Sequence, residues 1–517
     1  MRLNILKNQQ EKVEKEIPFL TVARLAVPPA EILAKFYEKY LPPEVLRTRM
    51  LSGIMVDLAH VIMLCEQGII PPDSAAKICE TLKEIEQLVL DGKFSFDSRL
   101  GTDFPQIEAY LIKKLGMSVG GLLHTGRSRC DRDAAVSRIE HRNYILRVIR
   151  ALISFQRALL DVAERHVETV MPGYTHLQHA YPWTFGHYLL CYFDRFERDF
   201  QRIKELYKRI NMNPLGTAVL AGSSFALDRE RTAELLGFDG VIENSMDAGG
   251  YYQDYLMEGA AVLAILSSNI NKLANELSIW ASYEFRLVEI ADEYCSTSSH
   301  MPQKKNPEGL EFVEASCGFV MGLPSVEFSK ARMMMSTDMD QIFSVSTMCY
   351  AHEIISDSLY MMRGILETIK VYEDRMKNLA GAYWGTLGLL AEELVKKRGI
   401  SFREAHQIAG RFVRMCILQG IEPKCVTSEL LDEASQEIIG RPLKIDTQII
   451  RKLLDPVNFM NSVVTKGSIN PKETKRMLKK RWEVLREEET WLSKEENKLK
   501  QAREKIEEMI LKLKAAL

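Results

Sequence analysis

The chain has 517 residues, 46% of them apolar and 27% charged, with 68 Lys+Arg against 70 Asp+Glu and a formal net charge of −2. This average globular composition excludes disordered and fibrous classes, and the length corresponds to about three domains or one large core built from several segments. The near-neutral balance offers no sequence-wide basic field, which argues against nucleic-acid binding.

In chain order, Lys7, Lys12 and Lys15 are mixed with Gln and Glu, and no apolar stretch long enough for a signal peptide follows. To about residue 120, short amphipathic segments are punctuated by Pro28-Pro29, Pro42-Pro43 and Pro71-Pro72. No proline then occurs between Pro105 and Pro172, or between Pro214 and Pro302. Proline breaks the helical hydrogen-bond ladder, so such intervals permit long helices. In the first, Ile139, Leu146, Ile153, Leu160 and Val167 recur every seven residues; in the second, Leu256, Leu263, Ile270 and Leu277 do the same. These spacings predict helical rods packed side by side at a shallow angle. The most apolar stretch, around Ala260–Leu266, is broken by Ser267, Asn269, Asn271 and Lys272, so no membrane span is expected.

A composition change falls near Glu373–Met376, after which shorter helical patterns alternate with Gly and Pro. Asn470-Pro471-Lys472-Glu473 predicts a helix start, with Asn as cap and Pro first. From there Leu478, Leu485, Leu492, Leu499, Ile506 and Leu513 hold a seven-residue line, which suits either a helix along the protein's own body or an inter-chain coiled coil. The nine cysteines are scattered and never form Cys-x-x-Cys, which predicts free thiols in a reducing cytoplasm. The expected fold class is all-α, with an N-terminal helical region 1–121, a central long-helix bundle 122–372 and a C-terminal helical region 373–517.

The chemistry is concentrated in Cys295-Ser296-Thr297-Ser298-Ser299-His300-Met301-Pro302-Gln303-Lys304-Lys305-Asn306-Pro307, a loop of hydroxyls, two ammonium groups and an amide between two helical patterns. Its order, Ser-Ser-x-Met-Pro-x-Lys-x-Asn-Pro, resembles the signature loop of the fumarase/aspartase superfamily. His124-Thr125-Gly126-Arg127-Ser128-Arg129-Cys130-Asp131 and Met171-Pro172-Gly173-Tyr174-Thr175-His176-Leu177-Gln178 are similar to two motifs of its argininosuccinate lyase branch. With Glu66-Gln67-Gly68-Ile69-Ile70 and Asn244-Ser245-Met246-Asp247-Ala248, the resemblance covers almost the whole chain.

The resemblance implies a three-domain helical fold whose central bundle contributes to a tetramer core, and a lyase that splits an N-substituted aspartate into fumarate and an amine or amidine. It implies no cofactor. Breaking a C–N bond beta to a carboxylate requires removing a weakly acidic proton, stabilising a doubly charged aci-carboxylate and protonating a departing nitrogen. The family's roles fall on Ser298 as general base, Lys304 and Asn306 as carboxylate holders, and His176 as general acid oriented by Glu311. Thr175, Ser128, Arg129, Cys130, Gln303 and Ser299 complete the implied substrate contacts. His141, His166 and His406 read as structural, with His187 and His352 close to the same reading; His300 lies in the signature loop where the family usually has an apolar residue. Met333-Met334-Met335 reads as core filling.

Four departures fall where the family holds its substrate. Cys130 stands for Asn, Phe104 for His, and Asp57 for a substrate-contacting Ser, while Ser325 to Gln341 is rewritten and longer. They predict a more apolar or more cationic amine half and weak or absent turnover of argininosuccinate. A related lyase on another amine–succinate adduct, and a non-catalytic scaffold built on the same fold, are the competing readings. No metal or nucleotide signature occurs.

Overall fold

The computed structural model describes residues 29–249, 253–330 and 340–515; Met333-Met334-Met335 and most of the rewritten segment lie outside them. The protein is 73% helical. The principal helices are α1 (Glu31–Tyr40), α2 (Pro43–Glu66), α3 (Pro72–Leu90), α4 (Asp103–Leu115), α5 (Arg129–Arg165), α6 (Phe185–Ile210), α7 (Arg229–Leu236), α8 (Asp254–Ala281), α9 (Glu308–Ser329), α10 (Asp340–Thr368), α11 (Glu373–Ala382), α12 (Leu387–Arg398), α13 (Phe402–Leu418), α14 (Ser428–Ile439) and α15 (Pro471–Ala515). Three small antiparallel ribbons pair β1 (Val170–Thr175) with β2 (Gln178–Thr184), β3 (Val288–Glu289) with β6 (Lys370–Val371), and β4 (Ser296–Thr297) with β5 (Lys305–Asn306).

Every residue of the two central seven-residue lines is buried, and α5, α6, α8, α9 and α10 share one core. Helices α5 and α6 run antiparallel. Arg138 near the start of α5 donates to the Arg209 carbonyl at 2.9 Å, Phe155 meets Phe196 at 5.0 Å, and His166 at the end of α5 meets Phe185 at 5.5 Å. Tyr255 at the start of α8 donates to Ser137 at 3.1 Å, and Trp280 at its end lies 4.6 Å from Tyr188. Helix α8 therefore runs parallel to α5, and the segment after α8 emerges at the far end of the bundle from Ser128.

A second core joins α2, α3 and α4 to the first turns of α5 and to α7; a third is built from α12, α13 and α14 with the segments around them. Helix α15 lies along its own body. Leu478, Leu485 and Leu492 are buried in the central core, and Ile506 and Ile510 in the N-terminal one. The leucine line thus binds within the chain, because the grooves beside α5 and over α3 are as apolar as a coiled-coil partner and are already tethered.

Helix α2 is long and apolar enough to cross a membrane by length and composition, with 78% of its most apolar window buried among the other helices. It exceeds the Ala260–Leu266 stretch in this respect, and its polar residues Arg49, Asp57 and His60 are buried against partners on other elements. None of the nine cysteines, all of them described residues, forms a disulfide.

Candidate active site

The signature segment forms a hairpin. Ser296 pairs with Asn306 and Thr297 with Lys305, so that 298–304 is the loop between them. Ser298, Ser299, Gln303 and Lys304 therefore lie in one loop, Asn306 lies in the strand that closes it, and Glu311 follows in the first turn of α9. The Ser298 Oγ accepts hydrogen bonds from two backbone amides, His300 N at 3.2 Å and Met301 N at 3.0 Å. Donors aimed at an oxygen favour its anionic form. The two adjacent lysines are used differently. Lys305 Nζ meets Asp292 at 2.6 Å and Glu289 at 3.2 Å, whereas Lys304 forms no ion pair among the described residues. Glu289 also accepts from the Tyr372 hydroxyl, which with Lys305 holds its carboxyl down at about 2. Glu289 was not legible as a loop anchor, since its partner Tyr372 lies beyond α10.

Thr175 and His176 occupy the β1–β2 hairpin. Thr175 pairs with Gln178, leaving His176 and Leu177 as a two-residue turn, both with positive φ (54° and 59°). That geometry matches the twist of a hairpin but is usually filled by Asn or Gly. Two non-glycine residues held there signal a functional constraint. His176 is exposed, and no hydrogen bond or ion pair joins it to Glu311 within the chain. The expected orientation of His176 by Glu311 is thus not made by a single chain.

Ser128 caps α5. Its Oγ accepts from Cys130 N at 3.3 Å, and Asp131 accepts from Ser128 N at 2.9 Å, a reciprocal capping box. The second Asp131 oxygen accepts from Gly216 N at 2.8 Å and Ala218 N at 3.0 Å, tying the loop to the segment after α6. The Ser128-x-x-Asp131 spacing is a recognisable cap signature that the motif reading passed over. Ser128, Arg129 and Cys130 are half-buried at this end of the bundle. The His176 hairpin and the signature loop lie at the other, where Tyr174 meets Phe285 at 5.8 Å.

Two departures expected to face substrate do not. Asp57 is fully buried and bonds Arg132 through both carboxylate oxygens, at 3.0 and 3.2 Å, with Arg127 at 2.7 Å. Burial alone would raise its pKa, but the Arg132 and Arg127 guanidiniums overcome this and hold it below the usual range. It cannot attract a cationic substrate, because two cations already neutralise it. Phe104 is buried as well, with its ring 4.9 Å from the Arg132 guanidinium, 5.4 Å from that of Arg127, and 5.0 Å from the His124 ring. Both are correlates of the buried arginines. Of the departures on described residues, only Cys130 remains at the substrate loop.

His141 and His352 are buried together, 5.9 Å apart, and carry no site. Among the described residues no group of His, Cys, Asp and Glu is arranged to hold a metal ion.

Comparison with known proteins agrees with this geometry. Residues 48–322 match the lyase family model and residues 389–461 the argininosuccinate lyase C-terminal model. The chain is 41% identical over 461 residues to the argininosuccinate lyase of Methanocaldococcus jannaschii, covering 89% of this chain and 93% of that one. It is 38% identical over 407 residues to that of Methanothermobacter thermautotrophicus, covering 78% and 86%. Among solved structures, EDDS lyase in complex with formate superposes with a TM-score of 0.83 at 30% identity, covering 92% of this chain and 95% of that one. A fumarate lyase from Mesorhizobium sp. BNC1, at 21% identity and TM-score 0.65 over 86% and 97%, shares the fold.

The helical bundle and its signature hairpin define a carbon–nitrogen lyase of the fumarase/aspartase superfamily. Within it, the chain belongs to the argininosuccinate lyase family.

Proposed function

We propose that the protein cleaves argininosuccinate to arginine and fumarate by β-elimination, as a cytoplasmic homotetramer. The observation that carries the reading is the Ser298 oxygen, met by two backbone N–H donors in a loop where Lys304 has no competing carboxylate among the described residues. A serine alkoxide is otherwise too costly to form, and fixed dipoles beside a cation reduce that cost. Ser298 takes the proton from the carbon beta to the departing nitrogen. The charge passes into the neighbouring carboxylate, held by Lys304 and Asn306 as the aci form. The C–N bond then breaks as the C=C bond forms, and the nitrogen takes a proton from His176. Thr175, Ser128, Arg129, Gln303 and Ser299 bind the remaining polar groups, beside Cys130.

Assembly from several copies is supported by an exposed apolar face on the bundle. Phe312, Phe319 and Val326 recur every seven residues on α9 and are 63%, 48% and 43% exposed, with Tyr350 of α10 beside Phe319 at 5.7 Å. Apolar stripes of this size on a folded chain mark an interface. We place the region boundaries at 121/122 and 372/373, with α15 strapping the first region to the second.

The test is incubation of the purified protein with argininosuccinate while fumarate absorbance is followed. Turnover supports the reading; an inert protein rejects it. Cys130→Asn restores an amide donor and acceptor where a thiol bonds weakly, and should raise kcat/KM for argininosuccinate by about twofold to tenfold. Abolished turnover in this variant would place Cys130 in recognition of a different amine half.

A further inference from the structure

The buried charges beneath the 124–131 loop form one connected cluster. Arg132 bonds Asp57 with Nε and Nη2, and Asp103 with Nη1 at 2.6 Å. Asp103 in turn accepts from Arg49 Nε at 2.8 Å, and Arg49 reaches Asp133 at 3.2 Å and Glu140 at 3.6 Å. Burial pushes Glu140 up to about 8 and raises Asp133 as well, whereas the facing guanidiniums hold Asp57 and Asp103 below the usual carboxylate range. The arginines are present in a space made for them. A Cβ at Gly53 of α2 would collide with Arg132 Nη2, and lie 2.9 Å from Asp103 Oδ2. Phe104 supplies a ring face beneath both Arg132 and Arg127, an arrangement suited to planar guanidiniums.

This cluster touches the substrate loop at defined points. Arg127 immediately precedes Ser128, and Arg132 lies in the first turn of α5 just beyond Cys130. Asp57 pairs with both arginines, closing the loop's two flanks onto α2. One helical turn further along α2, His60 Nε2 bonds the Thr125 carbonyl at 2.8 Å. Between those fastened points stand Ser128, Arg129 and Cys130. A binding group gains its effect from being held in place before substrate arrives, and small displacements of such groups are costly.

We propose that Asp57 is a positioning residue, which sets the Ser128–Cys130 segment for carboxylate binding by clamping Arg127 and Arg132. The inference deepens the argininosuccinate lyase reading and rests on it for the identity of the ligand. Removing the Asp57 charge takes an ion-pair partner from both buried arginines, of which Arg132 keeps Asp103 and Asp133, and a buried charge that loses its partner forces local rearrangement. Because the loop binds the same carboxylates in ground and transition states, the damage falls on KM.

The experiment uses Asp57→Asn in the full-length chain, with steady-state kinetics on argininosuccinate and hydrogen exchange measured without substrate. KM should rise at least about tenfold while kcat changes less than about threefold. Amides of 124–131 should exchange at least about tenfold faster while those of 170–184 keep their protection. Adding Arg127→Gln to Asp57→Asn removes the cation that Asp57 held at 2.7 Å and should restore much of the lost protection. Unchanged KM and exchange, or equal loosening of both segments, overturns the proposal. Should Asp57→Asn fail to fold, Phe104→Leu removes the ring beneath the arginines and keeps an apolar side chain. It should give the same local pattern at about threefold, and wild-type exchange over 124–131 overturns the proposal. A wild-type protein inert towards argininosuccinate rejects the substrate reading, and the exchange measurements then decide the positioning role alone.

Discussion

Ser128 and His176 stand beyond opposite ends of one helix: Ser128 caps the N-terminus of α5, and His176 turns the hairpin that follows its C-terminus. The 37 residues of α5 span about 55 Å at the helical rise, and the segment from His166 to His176 returns at most about 36 Å of it. A substrate the size of argininosuccinate cannot touch both in one chain. If both serve one site, different copies supply them. Mixing inactive Arg129→Gln and His176→Asn proteins and reshuffling their subunits should then restore up to about a quarter of wild-type activity, the share of sites drawing both intact residues at random. Confirmed subunit exchange without any restored turnover rules this arrangement out.

Ser298→Ala removes the oxygen that His300 N and Met301 N surround. A group used for proton abstraction acts in the transition state, so kcat should fall by about three orders of magnitude or more with KM nearly unchanged. Single-turnover measurement of fumarate release checks this, and a kcat within about tenfold of wild type excludes Ser298 as the base.

The adjacent lysines give a contrast. Lys304→Met should lose about a hundredfold or more in kcat/KM, because an uncompensated ammonium facing a carboxylate acts in ground and transition states alike. Lys305→Met breaks only its partly exposed pairs with Asp292 and Glu289. Such pairs contribute about 0–1 kcal/mol, so kcat/KM should stay within about fivefold. Equal losses in the two variants would show that the hairpin does not separate their roles.

Glu488 of α15 is 2% exposed, and burial, reinforced by the Glu197 charge, pushes its carboxyl up to about 9. The unfolded chain releases this proton near the ordinary 4.5 and the folded chain only near 9, so stability is fully present below 4.5 and declines as pH rises across that window. Glu488→Gln does not titrate. Its unfolding free energy from urea titration should match wild type near pH 4.5 and exceed it increasingly towards pH 9, by about 1–3 kcal/mol at pH 7. A constant difference between the two proteins from pH 5 to 9 would show that Glu488 does not carry this loss.

Helix periodicity, proline spacing and three chemical motifs were legible in the amino-acid order because each is local. The lines through Ile139 and Leu256 mark buried faces wherever the helix comes to rest, and Ser298 through Asn306 keep their spacing in any conformation. What those residues face was decided by tertiary structure. Asp57 and Phe104 look like altered substrate contacts at their places in the motifs, yet packing turns both towards Arg127 and Arg132, residues far away in sequence. The leucine line of α15 fitted two partners equally well, and only the grooves along α5 and α3 settled which one it buries against. The same holds for His176. Its identity is written in the sequence, but the positive φ of its turn and its separation from Ser128 follow from a hairpin register and a helix length. Side-chain periodicity is a property of the backbone, whereas charge pairing and distance depend on which segments fold together.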